Sequence, residues 1–160
     1  MKRIVILNIL ALFFALNSLN AQESDHLNWI SDFNQAKAIA QKENKPILIF
    51  FTGSDWCGLC KLLEKDFFAS EKFKNIAVKN LVLYKANFPR RTDLISLKQK
   101  EINQELDKKY SKSRRQRVFP TIIITDKNGK ELSFLESYNY IHDTSRHYKM
   151  LDFILNKNKP

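Results

Sequence analysis

The chain has 160 residues, 44% of them apolar and twelve of them Phe, and a formal charge of +10. That is enough for one core of ordinary size, so neither a second domain nor disulfide or metal staples are needed to fold it. Three Gly and four Pro leave little room for flexible linkers, and no repeat or low-complexity tract interrupts the sequence.

The first stretch stands apart from the rest. Lys2-Arg3, the apolar run Ile4 to Leu16 broken only by Asn8, and the small polar stretch Asn17 to Ala21 follow the pattern of a secretory signal peptide. The run falls short of the ~20 residues a spanning helix requires. Residues 1–21 are therefore expected to be removed after Ala21, leaving residues 22–160 as the domain. The product is expected to be periplasmic or secreted, with no stable membrane insertion.

From Asp25 to Asn44, the residues Trp29, Phe33, Ala36, Ile39 and Ala40 fall at helical spacing, with Ser31 or Asp32 as N-cap. Pro46 to Phe51 is a continuous apolar run, as in a central strand covered on both faces. A helix is expected from Cys57, turning Leu62, Leu63, Phe67 and Phe68 inward. It restarts at Ala69-Ser70-Glu71 and runs through Phe73, Ile76, Ala77 and Val78. Leu81 to Ala86 reads as the next strand. Asn87 to Asp93 is a loop, and Leu94 to Tyr110 a helix with Leu97, Ile102 and Leu106 inward. Val118 to Thr125 is a strand entered through Pro120. Asp126-Lys127-Asn128-Gly129 makes a hairpin turn to a returning strand, Lys130 to Glu136. Asp143 or Thr144 caps a last helix whose Tyr148, Leu151, Ile154 and Leu155 face inward, while Tyr138 and Tyr140 pack nearby. This order predicts an α/β fold, a mixed central sheet with helices on both faces.

The two cysteines, Cys57 and Cys60, stand three apart between the buried strand and the helix that follows it. A thiol at a helix N-terminus feels the positive end of the dipole, which favours the thiolate. The C-x-x-C ring is too short to remove much unfolded-state entropy, so it is a poor staple but a good reversible disulfide. A zinc site would need four clustered ligands, and His26, His142 and His147 are scattered. Residue 61 is Lys, which excludes haem attachment through C-x-x-C-H. No metal or other cofactor is expected. The residues point to a dithiol redox site.

The element order, Trp56-Cys57-Gly58-Leu59-Cys60-Lys61 after a buried strand, and Phe119-Pro120-Thr121 some sixty residues later resemble the thioredoxin superfamily. Phe51 to Cys57, together with Asn87-Phe88-Pro89-Arg90, looks like its exported members in Gram-negative bacteria. The resemblance spans Leu27 to about Asn156 and implies the three-layer α/β/α sandwich. It makes Cys57 the exposed nucleophile, Cys60 the buried resolving thiol, and Phe119–Pro120 a cis peptide beside the substrate. Trp56, Phe119 and Pro120 become substrate-binding residues. Thioredoxin carries a buried acid six residues before its first cysteine. Phe51 occupies that place here, so proton removal from Cys60 falls to water or another group. Gly58-Leu59 matches neither thioredoxin nor the disulfide isomerases. The direction of electron flow stays open over roughly −270 to −120 mV.

Lys108, Lys109, Lys112, Arg114, Arg115 and Arg117 crowd six cations into ten residues before Pro120. They read either as a solvated connection or as a basic rim that steers acidic substrates and favours the Cys57 thiolate. Nucleic acid fits poorly, because the aromatics read as core. The chain is thus expected to reduce, isomerise or form disulfides in exported proteins, exchanging electrons with protein thiols and a redox partner protein. The alternative is a binding module of the same fold that holds extended polypeptides with little redox turnover.

Overall fold

Alternation along three strands builds both halves of the core. In β2 (Ile47–Thr52), Leu48 and Phe50 point to one face and Ile47, Ile49 and Phe51 to the other. In β3 (Val82–Asn87), Leu83 joins the first set and Val82, Tyr84 and Ala86 the second. Ile122 and Ile124 of β4 (Thr121–Thr125) continue the first layer, and Ile123 the second. A sheet that is apolar on both faces must be covered on both, and helices do so. α1 (Phe33–Glu43) and α4 (Leu97–Tyr110) lie over the second face. α2 (Gly58–Leu63), α3 (Glu71–Asn80) and α5 (Ser145–Lys157) lie over the first. The computed structural model describes residues 27–110 and 117–157. The expected signal segment, His26, Lys112, Arg114 and Arg115 lie outside them.

The sheet has five strands in the order β1-β3-β2-β4-β5, with β5 at Glu131–Glu136. β2 pairs in parallel with β3 and antiparallel with β4, and β5 closes the hairpin. The mixed sheet and the three layers follow the expectation. The strand count does not. Trp29–Ile30, just ahead of the expected cap of the first helix, forms a short strand, β1, parallel to β3, where no strand was expected. The helix begins only at Phe33, because Asp32 accepts hydrogen bonds from the N–H groups of Asn34 and Gln35 and so fixes its start. Trp29 still packs inward, edge-on to Phe68.

Two further expectations change. α4 starts at Leu97 after a short 3₁₀ turn, Thr92–Leu94, and Leu97 is 79% exposed rather than buried. Its buried residues are Asn103, Leu106 and Tyr110, and Ile102 packs half-buried against the same layer, as expected. Tyr140 is exposed rather than packed, whereas Tyr138 is buried and donates to Asp66 Oδ2.

Candidate active site

The loop after β2 is shaped by the groups that hold it. Asn87, the last residue of β3, accepts from the Ser54 backbone N–H and donates to Ser54 Oγ. The Asn87 carbonyl in turn accepts from Asn103 Nδ2, and Asn103 Oδ1 accepts from Tyr84 O–H. A polar chain, buried at its Tyr84–Asn103 end and half-buried beyond, therefore runs from α4 through β3 to the loop that carries the cysteines. Asp55 takes the backbone N–H groups of Arg90 and Arg91 at 2.9–3.1 Å, which ties the β3–α4 loop to the cysteine loop. Partial burial pushes its carboxyl up, but those N–H groups outweigh the effect and hold it below the usual carboxylate range.

Cys57 is the N-cap of α2, and its Sγ accepts the Cys60 N–H at 3.2 Å. The two sulfurs are joined in a disulfide. Both residues belong to the core layer under the first face of the sheet. Cys57 keeps 5% of its surface and Cys60 none. Cys57 is thus less open than expected. Cys57 is nonetheless the residue that retains some contact with solvent.

α2 does not end cleanly at Leu63. It runs on as one π-helical turn, Glu64–Phe68, and both Phe67 and Phe68 are buried. Neighbours in a regular helix point about 100° apart, and the wider turn lets two successive rings enter one core. Glu64 follows Cys60 by one turn, with its N–H on the Cys60 carbonyl. Its carboxylate pairs with Lys85 Nζ at 3.2 Å, and the ammonium lies over the Trp29 and Phe50 rings. Phe50 and Cys60 share a core layer, so this ion pair is on the disulfide's side of the sheet. β2 itself carries no acid.

Trp56 stands beside the disulfide, 37% exposed, with its indole N–H on the Phe88 carbonyl at 2.8 Å. Phe119 meets it edge-on at 5.3 Å. The Phe119–Pro120 peptide is cis, Pro120 is buried, and its carbonyl accepts the Ser137 N–H. Trp56, Cys57 and Phe119 are therefore brought to one end of the sheet.

Residues 28–127, 100 of the 160, match the sequence profile of the family described as Thioredoxin-like. The chain belongs to the thioredoxin-like family. Among its curated relatives is "Disulfide bond reductase DsbH" of Chlamydia pneumoniae, 32% identical over 108 residues, covering 68% of this chain and 61% of the relative. A second is "Thioredoxin-related protein DsbJ" of the same organism, 33% identical over 76 residues, 46% of this chain and 22% of the relative. The matches thus span under two thirds of either relative. A solved structure titled "DsbH Oxidoreductase" superposes with a TM-score of 0.64 at 29% identity, covering 79% of this chain and 85% of that one. A thioredoxin from Thermus thermophilus, at 18% identity and a TM-score of 0.59 over 81% of this chain and 87% of that one, shares the fold.

Of the six cations before Pro120, only Lys108, Lys109 and Arg117 lie among the described residues of this thioredoxin-like chain. Lys109 reaches away to the Gly129 carbonyl of the hairpin. Arg117 pairs with Asp107 and lies 4.1 Å over the Phe88 ring. Sequence reasoning missed Arg90, whose guanidinium covers Trp56 at 5.2 Å. It also missed Asn103 and Glu64. A polar residue at a helical position that faces the core, as Asn103 does, is the signal that was available.

Proposed function

We propose that the chain is an exported thiol–disulfide oxidoreductase working in the reductive direction on protein disulfides. The observation that carries this reading is a disulfide between Cys57 and Cys60 at the N-terminus of α2, with the Cys60 N–H on Cys57 Sγ. A donor and a helix N-terminus aimed at one sulfur favour its thiolate. In the reduced protein, the Cys57 thiolate attacks one sulfur of a client disulfide. A Cys57–client bond forms and the client's other sulfur leaves as a thiolate. Cys60 then gives up its proton and attacks Cys57 Sγ. The intramolecular disulfide forms, and the second client thiol is released. Two electrons have passed to the client, and a thiol-bearing partner protein returns them by the same exchange. The reductive direction is taken from the name of the DsbH relative.

Trp56, Phe119 and the cis Pro120 frame the approach to Cys57 and hold the client strand. With no acid in β2, Glu64 serves as the proton acceptor for Cys60, one turn away on the same helix. Residues 1–21 direct export, and the mature chain begins at Gln22.

The test is insulin reduction by dithiothreitol, with the Cys57–Cys60 potential measured against glutathione. Acceleration, a trapped mixed disulfide in Cys60→Ser, and a potential nearer thioredoxin's ~−270 mV than the ~−120 mV of a strong oxidant are expected. No acceleration and no trapped species would overturn the enzyme reading. A potential near the oxidising end would overturn the direction.

A further inference from the structure

Thr52, the last residue of β2, has no exposed surface, and its Oγ1 has no hydrogen-bond partner among the described residues. The threonines of the neighbouring strand β4 are different. Thr121 donates to the Val118 carbonyl at 2.8 Å, and Thr125 to the Asp126 carbonyl at 2.9 Å. A buried hydroxyl left unpaired loses its hydration without compensation, so it calls for a role.

The sheet explains why no strand neighbour answers it. On the β3 side stands Asn87, whose amide is committed at both ends to Ser54. On the β4 side the antiparallel register reaches Phe51–Thr121, so the next step sets Thr52 opposite Pro120. Proline has no N–H to donate, and the Pro120 carbonyl already takes the Ser137 N–H.

What remains is the side of the sheet that Thr52 faces. Side chains alternate along a strand, so Thr52 shares a face with Leu48 and Phe50. The core layer on that face also holds Cys57 and Cys60. The chain turns back there at once, because the Gly53 carbonyl accepts the N–H groups of Trp56 and Cys57 at 3.1 and 2.8 Å. This turn brings Cys57 over the end of β2. The Thr52 carbonyl is itself fixed by the Phe88 N–H at 2.7 Å, so rotation of the side chain is the freedom Thr52 keeps.

We infer that the Thr52 hydroxyl is a second hydrogen-bond donor reserved for the Cys57 thiolate. In the disulfide, Cys57 Sγ is uncharged and accepts the Cys60 N–H, and Thr52 bonds to neither sulfur. Reduction by a thiol-bearing partner protein breaks the sulfur–sulfur bond with two electrons. Cys60 keeps one proton, the other goes to solvent, and Cys57 is left as an anion free to turn about its Cα–Cβ bond. A poorly solvated anion needs donors, and a hydroxyl already stripped of water meets it without further dehydration. The bond favours the thiolate and with it the reduced form. It is lost again when Cys57 joins a client sulfur. The inference rests on the oxidoreductase reading for the use made of that thiolate.

The test is titration of the Cys57 thiolate, by its ultraviolet absorbance, in the full chain carrying Cys60→Ser. That background leaves one thiol to read and keeps the backbone donor at position 60. Thr52→Val, which exchanges the hydroxyl for a methyl, is expected to raise the midpoint by about one pH unit. That is the lower end of what one hydrogen bond to a charged group supplies. Thr52→Ser should restore the original midpoint. Thr125→Val, which removes a buried hydroxyl at the opposite end of the sheet, should leave it in place. With both cysteines intact, Thr52→Val should hold or raise the urea midpoint of the oxidised protein and lower that of the reduced one. An unmoved titration in Thr52→Val, no recovery in Thr52→Ser, an equal shift in Thr125→Val, or a fall in urea midpoint shared by both redox states would each overturn the inference. None of these measurements requires turnover, so a failed insulin assay is a separate result.

Discussion

Gly53 is the residue on which the shape of the site turns. A Cβ placed there would lie 2.3 Å from Trp56 Cε2 and 2.4 Å from Nε1, inside the indole. The ring has nowhere to go but outward, because Phe119 closes its edge and the Phe88 carbonyl holds its N–H. Gly53→Ala is expected to cost about 1–3 kcal/mol by overpacking. It should also shift Trp fluorescence to the red as Trp56 leaves Phe88. An unchanged spectrum with unchanged stability would mean the loop absorbs the methyl elsewhere. Gly58, by contrast, has open space around the same position.

The second residue-scale prediction concerns Glu64. If it takes the proton from Cys60, Glu64→Gln should slow release of a trapped mixed disulfide roughly ten-fold or more near pH 7, the lower end of what a positioned general base supplies. The slowing should vanish above the ordinary thiol range of ~8.5, where Cys60 ionises unaided. A deficit that persists at high pH would point to a merely structural Lys85–Glu64 pair.

At the scale of elements, Ser70 joins three helices with one hydroxyl. It donates its single proton to the Phe67 carbonyl and accepts from the Phe73 N–H. Tyr148 O–H must therefore be the donor in the 2.7 Å contact between the two hydroxyls. The hydroxyl thus ends α2, starts α3 and anchors α5. Ser70→Ala should cost about 1–2 kcal/mol, the upper part of the range for an N-cap. Urea denaturation monitored by circular dichroism checks it. A loss below about 0.5 kcal/mol would mean that water replaces all three bonds.

The elements also show where sequence reading works and where it stops. β2 was legible because five β-branched, aromatic or other apolar residues in a row follow Pro46, and both faces are indeed covered. β1 was not. Trp29, Phe33, Ala36 and Ala40 share a helical spacing, yet Trp29–Ile30 pairs with β3. A two-residue strand has no period of its own, and only the neighbouring β3 gives it a ladder. The π turn was hidden for a similar reason, since its ring packing depends on the core it enters.

At the scale of the molecule, the layer that carries the cysteines also carries an acid-sensitive group. His147 is 3% exposed, packs on the Phe67 and Tyr138 rings, and buries an Nδ1 with no hydrogen-bond partner. Burial, reinforced by Arg146 and opposed by Asp143, pushes its imidazole from 6.5 down to about 4. Below pH 6.5 the unfolded chain takes up a proton that the native state refuses until about pH 4. Stability should therefore be full above pH 6.5 and fall through that window, by on the order of 3 kcal/mol at 1.36 kcal/mol per unit. His147→Phe should flatten the urea midpoint between pH 6.5 and 4. Undiminished acid sensitivity in that variant would assign it to another group. Asp66, held below the usual carboxylate range by Tyr138 and His142 despite the opposing effect of burial, acts at lower pH.

The sequence by itself determined four of the five strands, the layer order and the pair of cysteines. Those rest on local rules: alternation of apolar residues, caps, a hairpin turn, and two thiols three apart. Only the tertiary structure decided what surrounds the pair. Arg90 over Trp56, Asp55 on the backbone of the β3–α4 loop, and the chain from Tyr84 to Ser54 join residues some twenty to thirty-five positions apart. No periodicity records such meetings, because they depend on where the sheet order brings β3 and α4 relative to β2. The cysteine pair was therefore readable in advance, and the contacts around it were not.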